Sequence, residues 1–366
     1  MANESERLLM TPGPTEIPTG VREAMASQPR NPDLEPEFVE RYTDVQSKLQ
    51  TVYDTTDDIA ILGGEGILGL EAAVASVVEP GDPVLVLSNG LYGAGFADFV
   101  EMYGGEPTVY SEPDDTPLDR DQVKEYLENE EFVAATMVHC ETPTGLLNDL
   151  DGILADLQAH GVLTIVDAVS SLGGTTVPSV HVDIAVGASQ KVFSAPPGLT
   201  TVSVSDRAWD RIESVDQPSF YASLAPWQDP ELSDPPFFPY THLASNVAAL
   251  DEALDRLLEE GLRTVYDRHQ SVAERTRELG AEMGLEPYPQ DPDRYSPTVT
   301  AFEVDVPAMD LHQTVLESEN VLLGTGLAEH EQDLIRVGHM GYNASMEKVE
   351  RTMDAIESAL STLRSG

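Results

Sequence analysis

Positive charge is what this chain lacks most. Its 366 residues carry 20 lysines and arginines against 65 aspartates and glutamates, a formal charge of -45. Such a surface repels nucleic acid and anionic membrane, so neither is expected as a partner. Lysine is the scarcest cation, present only at positions 48, 124, 191 and 348. A single cysteine, Cys140, excludes an internal disulfide framework. The stretch Met1 to Arg7 has no basic segment leading into an apolar core, and no apolar run reaches the ~18 residues of a membrane span. A soluble, cytoplasmic protein is expected. The eight histidines show no zinc-type spacing, so no metal site is expected.

What is present is enough apolar material to fold. Hydrophobic residues make up 41% of the chain, which separates it from disordered polyanions. The charge then belongs to the solvated face, and a halophilic, high-salt setting that screens its self-repulsion is the simplest account. The length allows two domains. Phe38, Tyr42, Val45, Leu49 and Val52 recur at helical period, after which strand and helix patterns alternate from Asp58 to Val169. Near-continuous apolar strands such as 162–166 point to an α/β fold whose mostly parallel sheet is covered by helices on both faces. Residues 214–240, rich in proline, aromatics and acids, read as an extended loop. The expected organisation is an N-terminal arm to residue 20, a large domain over 21–245 and a smaller C-terminal α/β domain over 246–366, entered by a linker helix at about 242–260.

Three of the four lysines lie in polar, acid-rich helical stretches, and Lys191 does not. It follows the strand-like run 183–190 and precedes Val192-Phe193-Ser194-Ala195-Pro196-Pro197-Gly198. A desolvated amine is a nucleophile toward carbonyls. Asp167 ends another apolar strand with no basic neighbour in sequence, and in a parallel sheet both residues sit at carboxyl ends of strands, where such folds bind ligands. A lysine for a Schiff base and a carboxylate for a pyridinium nitrogen suit an aldehyde cofactor; a snorkelling lysine and a helix-capping aspartate are the structural alternatives. Gly63-Gly64-Glu65-Gly66-Ile67-Leu68-Gly69, between a strand and an apolar helix, offers backbone N–H groups to a phosphate. It also satisfies G-x-G-x-x-G, but the following strand runs into Ser88-Asn89-Gly90 rather than the ribose-binding acid of a dinucleotide site. A tight turn packing helix on strand would read the same way.

Seven segments in order carry a resemblance over nearly the whole length. They are Leu8 to Thr15 (LLMTPGPT), the glycine loop with Leu70-Glu71-Ala72-Ala73, Asn89-Gly90-Leu91-Tyr92-Gly93, Glu141-Thr142-Pro143-Thr144-Gly145, Val166 to Gly174, Gly187-Ala188-Ser189-Gln190-Lys191 and Ile335-Arg336-Val337-Gly338. Together they resemble the class V, fold type I, pyridoxal-phosphate aminotransferases of the alanine-glyoxylate and serine-pyruvate branch. The resemblance implies pyridoxal 5'-phosphate bound through Lys191, with Asp167 on the ring nitrogen and Tyr92 stacked on the ring. It implies a phosphate cup from the backbone of Glu65, Gly66 and Ile67 with the side chain of Gln190, and Thr142 or Thr144 near the phenolic oxygen. Arg336 would grip the substrate carboxylate. Thr241 would reach the phosphate from a second subunit, so a homodimer with shared sites is implied. The reaction implied moves an amino group from alanine or serine to glyoxylate or pyruvate.

The chain also departs from the family pattern. Gly95 stands where relatives often have arginine, Phe238 where they have a phosphate-binding tyrosine, and Glu65 in the cup is an acid whose side chain is expected to point away from a phosphate. Arg30, in Gln28-Pro29-Arg30-Asn31-Pro32, resembles a short family motif without an assignable role. Desulfuration needs a cysteine on a mobile loop, and Cys140 reads instead as a small core residue. Phosphonate- or aspartate-using aminotransferases, lyases of the class and a non-catalytic cofactor-binding protein remain as alternatives.

Overall fold

The apolar stripe beginning at Phe38 folds as a helix, and all five of its residues are buried. In the computed structural model, residues 7–216, 218–232 and 236–365 are described. Residues 1–6 of the expected arm, with 217 and 233–235 of the expected loop, lie outside them. In chain order the first half comprises β1 (Leu8–Met10), α1 (Thr19–Ala26), α2 (Pro36–Tyr53), β2 (Asp58–Gly63), α3 (Gly66–Val77), β3 (Pro83–Ser88), α4 (Leu91–Met102), β4 (Glu106–Ser111), α5 (Arg120–Asn129) and β5 (Ala134–Val138). A two-residue hairpin, β6 (Cys140–Glu141) and β7 (Leu146–Leu147), leads to α6 (Asp151–Ala159), β8 (Leu163–Asp167), β9 (Ile184–Ala188), β10 (Leu199–Val204) and α7 (Asp206–Ser214). Then follow α8 (Ala244–Glu260), α9 (Leu262–Glu282), β11 (Thr300–Glu303), α10 (Ala308–Glu319), β12 (Val321–Thr325), β13 (Leu334–Val337) and α11 (Met346–Ser365).

The seven-stranded sheet runs β2-β10-β9-β8-β5-β3-β4. Every pairing is parallel except the two made by β10, which runs antiparallel to both β2 and β9. The reversal needs a sharp return after Lys191, and the backbone supplies it with Ser194 at φ 56° and Gly198 at φ 130°. Strands β5, β8 and β9 are buried at every residue, as expected for a sheet covered on both faces.

A second core is built from a four-stranded sheet, β1-β12-β13-β11, with α9, α10 and α11. Its first strand comes from the N-terminus: Leu8, Leu9 and Met10 pair in parallel with Val321, Leu322 and Leu323. Helix α8 buries Val247, Leu250 and Leu254 in the larger core, where it packs on α1 and α2. Gly261, at φ 85°, breaks the chain between α8 and α9. Within 214–240 two short 3-10 turns, 225–227 and 230–232, interrupt the irregular chain and Trp227 is buried. Among the described residues no helix is long and apolar enough to cross a membrane.

Candidate active site

The carboxyl ends of β2, β3, β5, β8 and β9 lie along one edge of the large sheet, and Asp167, Lys191 and the glycine loop follow them. Asp167 is the last residue of β8, paired in register with Val186 of β9, and Lys191 follows β9 by three residues. Asp167 is buried, and its Oδ1 accepts the N–H of Val169 at 2.8 Å. Burial raises its pKa to about 6, against the lowering effect of that bond and of Lys191. Burial, reinforced by the nearby Arg336 charge, lowers Lys191 to about 8. The other lysines are treated oppositely. Lys48 is held above its ordinary value although burial opposes it, because Asp251, Asp255 and Asp44 lie within 2.7 Å. Lys124 and Lys348 also pair with acids. Lys191 alone has no carboxylate within ion-pair distance among the described residues; its Nζ donates to the carbonyl of Pro12 at 2.6 Å.

That carbonyl reveals what the N-terminal turn does. Thr15 Oγ1 donates to the carbonyl of Lys191 at 3.1 Å and lies 3.0 Å from Ser194 Oγ, while its N–H donates to the carbonyl of Gln190. Gly13, at φ +93°, packs so closely that a Cβ there would fall 2.9 Å from Lys191 Cε. The prolines flanking Gly13 are the sequence signal of this turn.

Tyr92 is the second residue of α4, partly buried, and burial raises its hydroxyl pKa. The charges of Arg336, Asp167, Glu141 and Glu65 act on it after burial. Glu141 was quoted as a motif residue but given no role. Its buried carboxylate accepts the N–H of Gly93 at 2.7 Å and of Tyr92 at 3.3 Å, so it caps α4 and holds the backbone at Tyr92. Burial raises it to about 7 despite those bonds. An acid in a buried strand was the signal that singled out Asp167, and it applied here too.

Arg336 lies in β13, nearly buried, with its pKa lowered to about 10 by burial. Its Nε donates to the carbonyl of Thr325 at 2.7 Å and its Nη1 to that of Thr142 at 3.3 Å. In a chain with 65 acids it has no carboxylate partner among the described residues. Thr142 Oγ1 forms a very short hydrogen bond with Ser170 Oγ. Thr144 Oγ1 and Gln190 Oε1 are buried without any hydrogen-bond partner, a costly state unless a ligand supplies one.

At the glycine loop, Glu65 precedes α3, Gly66 and Ile67 begin it, and a Cβ on Gly66 would meet Val169 at 3.0 Å, so the start of the helix packs closely on the turn that follows Asp167. Gly69 performs the packing alternative as well, because a Cβ there would lie 2.7 Å from Val186 Cγ1. Glu65 does not point away. Its Oε1 accepts the N–H of Ile67 at 3.2 Å, and its charge acts on Lys191, Asp167 and Tyr92. A free helix N-terminus attracts an acid, which overrides the sequence expectation.

Some residues are not brought to this cleft. Thr241 is exposed and donates to Asp33 at 3.4 Å. Phe238 is buried against Phe38, Tyr42 and His242. The nearest hydroxyl from this segment belongs to Tyr240, which accepts the N–H of Gly63 at 2.6 Å. Arg30 pairs with Glu35 at the surface, and Gly95 faces open space. Cys140 is buried with its thiol raised to about 11 by burial. Asp114, Glu329 and His330 come close together, with His330 Nε2 2.5 Å from Asp114 Oδ2, and line one pocket with Gly90 and Thr144.

Comparison with known proteins agrees with this geometry. The family model for "Aminotransferase class-V" matches residues 9–351. Pyridoxamine--pyruvate transaminase of Mesorhizobium japonicum is 35% identical over 319 residues, 85% of this chain and 81% of the relative. The mouse (Mus musculus) alanine--glyoxylate aminotransferase is 29% identical over 366 residues, 97% of this chain and 87% of the relative. A crystal structure of pyridoxamine-pyruvate aminotransferase from Mesorhizobium loti superposes with a TM-score of 0.93 at 32% identity, covering 98% of this chain and 92% of that one.

Proposed function

The chain belongs to the class V aminotransferases, pyridoxal-phosphate-dependent enzymes of fold type I, and from that premise we propose that it moves an amino group from alanine or serine to glyoxylate or pyruvate. The observation that carries this reading is the pairing of the desolvated Lys191 amine with Arg336, a buried guanidinium that has no acid of its own. A guanidinium held by two backbone carbonyls, through Nε and Nη1, suits a substrate carboxylate one carbon from the reacting amine. Glyoxylate and pyruvate are the acceptors named for the relatives, and both are small.

The ring and lysine ends of the cofactor fit the residues present. Asp167 offers a buried carboxylate, and the orphaned Thr144 Oγ1 and Gln190 Oε1 await partners. Bound there, pyridoxal phosphate supplies an electron sink for the bond broken at the substrate α-carbon. The protein does the rest. Lys191, at about 8, is partly neutral near pH 7 and takes and returns a proton at its Nζ. Asp167, ionised above its pKa of about 6, would stabilise a proton on the ring nitrogen. Tyr92, its backbone held by Glu141, covers one face and excludes water, while Arg336 orients the substrate so that its α-hydrogen meets the lysine.

We further read the molecule as a homodimer in which Thr241 reaches the partner's phosphate end. Thr241 is exposed, outside its own cleft, in a segment that also exposes Phe220, Tyr221, Phe237 and Leu243; a cluster of this kind marks an interface. Cytoplasmic placement and high-salt adaptation belong to the same reading, supported by the charge. Single-turnover absorbance with a panel of amino acids tests the donor. Alanine or serine should convert the bound aldehyde band to the amine form, and Lys191→Ala should lose that conversion. Conversion by neither amino acid, or undiminished turnover in Lys191→Ala, overturns the reading.

A further inference from the structure

Arg336 spans the gap between the two cores. Its Nε is held by the carbonyl of Thr325 on β12, in the smaller core, and its Nη1 by the carbonyl of Thr142, just after β6 in the larger one. Its side chain lies against Gly324, where a Cβ would come within 3.4 Å of that Nε. Thr325 and Arg336 also flank one excursion of the chain. Residues 326–333 leave β12 directly after Thr325 and re-enter β13 at Leu334, two positions before Arg336. The excursion is closed on itself: Gly326 N–H donates to the carbonyl of Leu334 at 2.7 Å, and a Cβ on Gly326 would collide with the carbonyl of His330. Ala328 is held at φ 52°, a conformation that side chains disfavour. A turn this constrained passes a pull at its tip to its ends, and one end is the carbonyl that holds the guanidinium.

Among the described residues, one hydrogen bond ties the tip of this turn to the larger core. His330 Nε2 lies 2.5 Å from Oδ2 of Asp114, in the loop after β4, and Asp114 Oδ1 accepts the hydroxyl of Tyr288 at 2.7 Å. Tyr288 belongs to the smaller core, where its N–H donates to the carbonyl of Ala301 on β11, and its ring flanks the imidazole with centroids 4.9 Å apart. Both carboxylate oxygens of Asp114 are therefore committed to groups of the smaller core. The clasp and Thr144, two positions beyond Thr142, line one cavity of about 410 Å³ together with Gly90, Leu91 and Leu327. Open space rather than packed side chains lies under the turn, so close packing there does not fix its place and the clasp does. We propose that His330 is a positioning residue for the substrate: by holding the 326–333 turn to Asp114, it sets where Arg336 presents its guanidinium to the substrate carboxylate. The inference rests on the reading of Arg336 as the carboxylate grip. Released from Asp114, the turn moves with Thr325, and Arg336 keeps only Thr142 to direct it.

The test is steady-state kinetics of the purified full-length protein loaded with pyridoxal phosphate, with alanine or serine as donor and glyoxylate or pyruvate as acceptor. The wild type is compared with His330→Ala, His330→Gln, Asp114→Ala, the double alanine variant and Arg336→Ala. His330→Ala should raise KM for donor and acceptor by about tenfold or more while kcat changes by less than about threefold, the pattern of a weakened grip on a carboxylate that both substrates share. Absorbance titration with pyridoxal phosphate should give the wild-type affinity, since Lys191 and Asp167 stay in place. Asp114→Ala should match His330→Ala, and the double variant should be no worse than either, because the two side chains act as one unit. His330→Gln keeps an N–H for Asp114 and should bring KM back close to the wild type. An unchanged KM in His330→Ala, even with a lower Tm, or effects that simply add in the double variant, overturns the proposal and leaves the pair as a join between the cores. If Arg336→Ala also leaves KM unchanged, the carboxylate reading of Arg336 falls as well. No turnover by the wild type with any of these substrate pairs overturns the proposed function and this inference together.

Discussion

Lys191 differs from its three counterparts in surroundings rather than chemistry. Lys48 sits among three carboxylates that keep it charged, whereas Lys191 meets a backbone carbonyl and a neighbouring guanidinium that discourage charge. The N-terminal turn completes this environment, and its close approach gives a sharp prediction. Gly13→Ala places a methyl group against Lys191 Cε and Nζ at a backbone angle that favours glycine. The variant should lose cofactor binding and activity by at least tenfold, read by absorbance titration, while circular dichroism stays that of the wild type. Unaltered binding would mean that the turn does not wall the amine.

At the scale of elements, the site exists because five strand ends lie along one edge of the large sheet, and the helices that follow are pressed closely onto the sheet. Helix α3 reaches β9 and β10 through Gly69, where even a methyl group meets Val186 and Thr200. Gly69→Ala should cost about 1–3 kcal/mol by overpacking, seen as a lower Tm and a weakened phosphate end, since Ile67 and Gly66 move with the helix. A Tm equal to the wild type would show that the sheet yields freely. Much of this layer was legible beforehand, because helical and strand periods in 36–169 follow directly from which faces are buried. Strand β10 was not, since Leu199-Thr200-Thr201-Val202-Ser203-Val204 looks like any buried strand and its reversed direction is set by the backbone at Ser194 and Gly198. The same limit hid the pairing of β1 with β12, a contact across more than three hundred residues of sequence. Asp167, Lys191 and Arg336 were readable as charges in apolar strands. The capping roles of Glu141 and Glu65 depend on N–H groups that only the fold brings within reach.

For the whole molecule, the dominant quantity is the charge of -45. Arg207 with Asp183, Arg211 with Asp82 and Lys48 with its acids use cations to stitch buried or half-buried positions, which leaves most acids of the described residues without a cation. Self-repulsion is then screened by salt, with a Debye length falling from about 10 Å at 0.1 M to about 3 Å at 1 M. Tm should therefore rise between low and molar salt in a scanning measurement on the same preparation. A Tm independent of salt would contradict high-salt adaptation.

The central claim is that one amine of four is tuned to capture an aldehyde, and trapping tests it most directly. The protein is incubated with pyridoxal phosphate across a pH series, reduced with borohydride and mapped by peptide mass spectrometry. With the Lys191 pKa near 8, about a tenth of that amine is neutral at pH 7. Depression of a lysine pKa enlarges the neutral, nucleophilic fraction, so the rate of trapping should climb through pH 8 and then level. The adduct should lie on Lys191. Label distributed over Lys48, Lys124 and Lys348, or a rate still climbing past pH 10 as for an ordinary lysine, would contradict the account.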